Sequence, residues 1–471
     1  MISVKTLNRF GRGLLAAVGM AVGCQSEPLR PVALEPSGGA DRRPAPEGAP
    51  KTPQEPHLVD LGSALRIAAG SHLDILEARA RLREAQGNVQ AADGYLLPVL
   101  SAGGSWGRTD GTVQASFGNL GDVRFGTVSG LGTVQVSSNF GQSIYHDLAT
   151  HTIAQAAADF ELAQIQRTLL DVARAYLSLV EADVTVRLNE QFVQETQGLV
   201  RYTQAREAQG LGSALDTERA RTQAAEAEQR LLVARNDRQR RSKTLASALR
   251  LDSTVDLVPV DKDLAPATLV APGDTLAQWL ARAQDHRPEL RAFRSSQEAA
   301  DQEAKATRWS VWGPQASAGY LYGDLGRSPA TVDERQSWVF GLGWTFSFGG
   351  PGKIEAADAR TEQATLQLLR FQDRLLASVS GSYQELVLAR QRLDPADREQ
   401  AAAEKALRLA RVTFEGGLLP ENDLLLAELA ADLARQRRLT AVTRYDLAQL
   451  DLLAESGVAS AETLSGGTGG K

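Results

Sequence analysis

Between residues 147 and 206 the chain has one glycine, Gly198, and no proline. Within that stretch Leu162, Ile165, Leu169, Val172, Tyr176 and Leu179 recur at spacings of 3, 4, 3, 4 and 3, flanked by Ala, Gln, Arg and Glu. This is a narrow apolar seam, the pattern that packs helices side by side. At 1.5 Å per residue, ~60 residues span ~90 Å, several times the length of an average globular helix. A helix so long with so thin a stripe belongs in an extended bundle or tube. Residues 337–349 (SWVFGLGWTFSFG) follow a period of two. Trp338, Phe340, Leu342, Trp344, Phe346 and Phe348 alternate with Ser337, Val339, Gly341, Gly343, Thr345 and Ser347. A bulky apolar face backed by small and polar residues predicts a transmembrane β-strand, lipid on one side and water on the other. Three weaker alternations accompany it. They set Leu100, Ala102, Gly104 and Trp106 on one face, then Val134, Val136, Ser138 and Phe140, then Ala316, Ala318, Tyr320 and Tyr322.

The same order of elements is expected twice, with the division near Val270–Asp274. The first half (59–270) reads as a helix over 59–96, strands near 98–108 and 131–145, a long helix over 147–208, a break at Gly210–Gly212 and a helix over 213–250. The second (271–456) reads as a helix over 275–310, strands near 314–324 and 337–349, a long helix over 354–415, a break at Gly416–Gly417 and a helix over 420–455. A flexible tail, 457–471, follows. At an offset of 207, Leu169, Val172, Tyr176 and Leu179 meet Leu376, Val379, Tyr383 and Leu386; Gly210 meets Gly417 and Asp216 meets Asp423. Internal duplication explains this gapless correspondence. Asp394-Pro395 predicts a kink or restart in the second long helix.

Composition then removes alternatives. A net charge of −6 leaves no basic excess for nucleic-acid phosphates. One cysteine excludes an intrachain disulfide framework and a Cys-based metal cage. His57, His72, His146, His151 and His286 are scattered, and His146 and His151 stand five apart, off the i, i+4 spacing of a helical metal pair. No P-loop and no Cys/His cluster is present, so neither catalytic residue, metal nor cofactor is expected. Of the 42 glycines, 19 fall in residues 101–141 and 313–352, where strand faces toward a lumen need small side chains.

At the N-terminus Lys5, Arg9 and Arg12 precede an apolar run, Gly13 to Gly23, the layout of a signal peptide over residues 1–23. Cys24 follows Ala21-Val22-Gly23, which resembles a bacterial lipobox and implies lipidation of the new N-terminal cysteine, palmitate included. A free thiol has little other use in an oxidising compartment. The Pro- and Gly-rich residues 24–58 then read as a disordered tether.

Four strands cannot close a barrel, and an open sheet in lipid leaves backbone groups unpaired at several kcal/mol each. Strands must come from several chains. Two copies would supply eight and three would supply twelve, and the helical tubes favour the wider option. Tyr95, Tyr145, Trp309, Trp312 and Trp344 cluster at the helix–strand junctions, as rings at a headgroup interface do.

The order and lengths of these elements, the ends LLP (Leu96–Pro98) and WGP (Trp312–Pro314), and the breaks AREAQGLGSALDTERA (Ala205–Ala220) and VTFEGGLLPENDLLLA (Val412–Ala427) carry a resemblance. The chain resembles the TolC-type outer-membrane channel family, in its lipoprotein branch. The resemblance implies a mixed α and β membrane protein: a homotrimer with a 12-stranded transmembrane β-barrel, four strands per chain, continued by a long periplasmic α-helical barrel. It implies an outer-membrane, lipid-anchored location, with a periplasmic adaptor and an inner-membrane transporter as partners. Trp338, Phe340, Leu342, Trp344 and Phe346 would face lipid. Gly210, Leu211, Ser213, Gly417, Leu418 and Pro420 would form adaptor-contacting tips. In the family, acidic residues after the second break ring the closed entrance; Asp423 matches one such position, while Leu426 and Leu419 replace a second acidic residue and a basic partner. Asp216 is the corresponding candidate in the first half. The alternative for both aspartates is support of helix N-termini, with Ser213 or Asn422 as caps. The expected function is a passive exit duct for small-molecule efflux. The duct of a type I protein secretion system is the alternative, and a periplasmic scaffold lipoprotein without a pore is the third reading.

Overall fold

A computed structural model describes residues 57–458, apart from 115–117, 211, 253, 262, 272, 327–330 and 417. The signal peptide, Cys24, nearly all of the tether, Leu211, Gly417 and most of the tail lie outside the described residues.

The described chain runs β1 (His57–Val59), α1 (Leu61–Ser71), α2 (Leu73–Asp93), β2 (Val99–Gln114), β3 (Leu120–Ser138), α3 (Phe140–Ala208) and α4 (Ala214–Ala248). It continues with β4 (Leu257–Pro259), α5 (Leu276–His286), α6 (Pro288–Trp312), β5 (Gln315–Gly326), β6 (Val332–Gly343), α7 (Gly350–Glu415) and α8 (Glu421–Glu455). The order helix–helix–strand–strand–long helix–helix therefore occurs twice. The 69 residues of α3 extend ~100 Å.

Each opening helix, expected to be continuous, is broken in two. His72 ends α1 in an extended conformation and caps α2, its Nδ1 accepting from the Asp74 backbone N–H at 3.3 Å. Arg287 ends α5 in an extended conformation before Pro288, as the steric restriction on a residue preceding proline requires, but gives α6 no side-chain cap bond. The strands also shift. β3 starts earlier than expected and stops at Ser138, because Asn139 caps α3 by accepting from Gln142 N–H at 3.2 Å; Phe140 is thus helical. β6 covers Val332–Gly343, so Trp344, Phe346 and Phe348 lie beyond it. Pairing stops there because Gly343 faces Gln315, the first residue of β5, and Gly313 and Pro314 offer nothing further. α7 continues uninterrupted through Pro395, whose position is exposed, so the expected restart does not occur.

The largest core lies where α1, α5, β1 and β4 gird the long helices. Tyr176, Leu179, Leu245, Leu257, Trp279, Val379 and Leu452 meet there, all buried. The parallel pair β1–β4 closes one side. The connection between the two halves is strapped to α8: Gln449 accepts from Leu269 N–H at 2.9 Å and Val270 N–H at 3.1 Å and donates to Ala267 O at 2.9 Å, and Asp446 accepts from Ala267 N–H at 2.9 Å.

Candidate functional site

The four long strands form one antiparallel sheet in the order β2-β3-β5-β6. Its register sets the four sequence-derived faces on the same side. Leu100 pairs with Val134, Val134 with Tyr320 and Tyr320 with Trp338, a continuous row across the sheet. The next row toward the helices carries Val136, Ala318 and Phe340, and the one after it Ser138, Ala316 and Leu342. The Tyr320 and Trp338 rings meet at 4.5 Å. Trp338, Phe340 and Leu342 are 70, 76 and 66% exposed, and Trp344 and Phe346, beyond the strand, are exposed as well. Bands of this kind do not face water without reason. The opposite face is hydroxyl-rich: Ser101 bonds Thr133, and Ser105 bonds Ser129 at 2.7 Å. Beyond the apolar rows, on their own face, Thr112 donates to Asp122 at 2.6 Å. The edges β2 and β6 each have one strand neighbour among the described residues.

The sheet is fixed to the helices by Trp309. Its ring lies over Gly141, where an added Cβ would sit 2.1 Å from a ring carbon, and its carbonyl accepts from Asn139 Nδ2 at 2.7 Å. A Cβ on Gly313 would lie 2.5 Å from the same carbonyl oxygen. These two glycines are therefore required by close approach.

At the other end the two helical hairpins turn side by side. Leu199 of α3, Ala220 of α4, Leu407 and Phe414 of α7, and Leu424 and Ala431 of α8 form one small core, and the Tyr202 and Phe414 rings meet at 5.1 Å. Asp216 and Asp423 are thereby brought to the same end of the molecule. The first turn uses Gly210 at φ 71°, a left-handed conformation, and Ser213 as N-cap, its Oγ accepting from Leu215 N–H at 3.2 Å. Asp216, half-buried in the first turn of α4, stands 3.9 Å from Arg219. In the second turn Pro420, rather than Asn422, is the N-cap and supplies no side-chain bond. Leu418 is 83% exposed, and Asp423 is exposed.

Sequence reading missed two groups. Above the tips, Arg411 reaches Glu195 at 3.4 Å and Glu428 at 3.3 Å, Arg435 reaches Glu404 at 3.5 Å, and Arg230 reaches Asp432 at 3.4 Å. Burial pushes the Glu428 and Asp432 carboxyls up, against the neighbouring arginines and with the help of Glu195. These residues sit at helical positions that one-dimensional periodicity assigns to a solvated face; only the packing of the two hairpins buries them. The second group is Asp93, Asp147 and His151, whose ligand atoms all lie within 4.8 Å of one another. Pairing histidines with histidines overlooked it, although Asp147 and His151 do have i, i+4 spacing.

Comparison with known proteins agrees with this geometry. No curated relative matches the sequence. Among solved structures the chain is similar to the outer membrane protein VceC from Vibrio cholerae, with a TM-score of 0.75 and 19% identity over 84% of this chain and 96% of that one. It is similar to the Campylobacter jejuni CmeC outer membrane channel, with a TM-score of 0.75 and 13% identity over 84% and 85%. It is also similar to the open state of the Neisseria gonorrhoeae MtrE outer membrane channel, with a TM-score of 0.73 and 17% identity over 84% and 88%. The family model described as outer membrane efflux protein matches residues 64–249 and 279–458, one segment in each half and together well over half of the chain. The chain belongs to the outer membrane efflux protein family.

Proposed function

We propose that the chain is the exit duct of a tripartite efflux system, three copies sharing a 12-stranded barrel and a periplasmic helical tunnel that conducts small molecules passively outward. The observation that carries this reading is the sheet: one face holds exposed apolar rows, the other hydroxyls, and each edge strand has a single neighbour among the described residues. In lipid those edges must be paired, and β2 of one copy against β6 of the next satisfies the requirement without a new element. The tips with Gly210, Ser213, Leu418 and Pro420 are the surface for a periplasmic adaptor, which links the duct to an inner-membrane transporter. Asp423 lines the entrance, with Asp216 as its first-half counterpart; three carboxylates around a three-fold axis would attract cations. Cys24 carries the lipid anchor.

The test is reconstitution of the full-length protein in planar bilayers, with unboiled gel mobility as a measure of trimer. Discrete conductance steps and a trimer-sized band are expected. Phe340→Arg, on the lipid side, destabilises insertion by about 2–4 kcal/mol, whereas Val339→Arg on the opposite face inserts normally. A monomer without conductance, or equal tolerance of both substitutions, overturns the reading. For the entrance, unchanged cation selectivity and divalent block in Asp423→Ala would remove the carboxylate ring. Intact-mass analysis of wild type and Cys24→Ala tests the anchor.

A further inference from the structure

The Asp93–Asp147–His151 group sits where the end of α2 meets the second and third turns of α3, away from both tips and from the faces of the sheet. His151 Nε2 lies 3.6 Å from Asp93 Oδ1 and 3.8 Å from Asp147 Oδ1. The Asp147 Oδ1 atom is closed to solvent and accepts no hydrogen bond, although it faces the imidazole. An orphaned carboxylate oxygen of this kind costs free energy until something positive meets it. Asp93 adds to the imbalance: it is the last residue of α2, where the helix dipole already concentrates negative charge. The local electrostatics therefore favour a cation, and the donor set specifies its class.

We propose that Asp93, Asp147 and His151 form a binding site for a first-row divalent cation, of which Zn²⁺ is the representative. One imidazole nitrogen and two carboxylate oxygens suit such ions better than Ca²⁺ or Mg²⁺, which take oxygen ligands throughout. With these separations a point equidistant from the three atoms lies no more than about 2.4 Å from each, so small side-chain rotations reach the 2.0–2.2 Å of zinc–nitrogen and zinc–oxygen bonds. Two ligands one helical turn apart on α3 form a rigid pair, and Asp93 from α2 closes the third position. The exposed side of the group leaves the remaining position to water. The adjoining His146 is engaged elsewhere, its Nδ1 2.9 Å from Glu303 Oε2, and is not a ligand. Bound metal would tie the C-terminus of α2 to α3 just below the junction with the sheet.

The experiment uses full-length protein without a histidine tag, purified in detergent and freed of metal with a chelator. Titration calorimetry with Zn²⁺ and the visible spectrum of Co²⁺ are the readouts. One ion per chain is expected, with a d–d band of a nitrogen–oxygen site and a rise in unfolding temperature on Zn²⁺ addition. Asp147→Asn and His151→Gln should weaken binding roughly tenfold or more and abolish the temperature rise. His146→Gln should bind as wild type does. Size-exclusion elution identical to wild type establishes that the variants are folded, and Asp93→Asn, at the exposed end of α2, provides a third variant if either helix substitution is not. Equal Zn²⁺ uptake by wild type and the ligand variants, loss of binding in His146→Gln, or no uptake by wild type overturns the proposal.

Discussion

α3 and α7 hold the same place in the two halves, yet they live in different surroundings. Of the 69 residues of α3, 21 are buried; of the 66 of α7, only 8 are. The difference reaches individual seam positions. Leu169 is 5% exposed and its counterpart Leu376 is 41% exposed, while Val172 and Val379 are both fully buried. α3 packs against α1, α2, α4, α6 and α8, whereas α7 lies at the margin against α5, α6 and α8. One seam has thus been used in two ways. In the first half it completes the chain's own core. In the second, Leu366, Leu369, Leu376, Leu388 and Val412 remain at the surface, as a neighbouring copy in the proposed trimer would require. A repeated sequence pattern fixes the local element and leaves its burial to the position of that element in the assembly.

The sharpest way to break this comparison is to cut the same side chain from both helices. Tyr176 is completely buried, and its hydroxyl donates to Asp261 at 2.7 Å. Tyr383, at the matching position, is half-buried with a 3.4 Å bond to the Asp274 carbonyl. Tyr176→Ala should cost about 3–5 kcal/mol, the range for removing a large aromatic from a core. Tyr383→Ala should cost less than about half of that, because fewer atoms lose partners. Denaturant unfolding in detergent, followed by tryptophan fluorescence, measures both. Equal losses would mean that the second seam is as enclosed as the first.

The asymmetry also separates what was legible in the sequence from what was not. The two long helices, the two breaks and the shared face of the strands follow from periodicity and Gly placement, both local properties. The row Leu100–Val134–Tyr320–Trp338 was implicit in four separate alternations, each correct about its own face. Strand ends were less legible. Alternation continues through Trp344 and Phe346, but a strand ends where its partner does, and Gln315 decides that from another part of the chain. Burial of Glu428 and Asp432 was invisible for the same reason, since it depends on how two hairpins meet. The metal-ligand triad lay partly in view as Asp147 and His151, but its third member, Asp93, is brought there only by the packing of α2 on α3.

A smaller effect tests the asymmetry between α8 and α4. Asp446 is buried against the strap, while Gln239, at the same offset on α4, is exposed. Burial raises the Asp446 carboxyl to about 7, opposed by the Ala267 N–H that it accepts. Because the folded value lies above the unfolded one, the folded chain retains a proton between pH 4 and 7 that the unfolded chain has released. The contribution to stability is full below the unfolded value, falls as pH rises through about 7 and then levels, a change of a few kcal/mol at most. Asp446→Asn retains an acceptor for Ala267 and carries no charge, so its stability should vary less over pH 4–7. Glu428 and Asp432 contribute with the same sign, so a residual slope is expected. Unfolding midpoints of both proteins at several pH values decide the matter; parallel profiles would remove Asp446 from the account.

The smallest effect contrasts the two tips. At the end of α3 the chain reverses through Gly210 at φ 71°, where an L-residue meets its own carbonyl. At the end of α7, Gly416 is the C-cap at φ −73°, an ordinary right-handed conformation, and an added Cβ would find the Val412 carbonyl at 3.5 Å, a normal contact. Gly210→Ala should therefore destabilise by about 1–2 kcal/mol, all of it from the backbone, since nothing lies within 4 Å of the added atom. Gly416→Ala should be neutral or slightly stabilising, because alanine restricts the unfolded chain more than glycine does. Hydrogen exchange of the α3–α4 and α7–α8 ends localises the response: faster exchange is expected at the first tip alone. Faster exchange at both tips after Gly210→Ala would mean that the core formed by Leu199, Phe414 and Leu424 couples the hairpins into one unit.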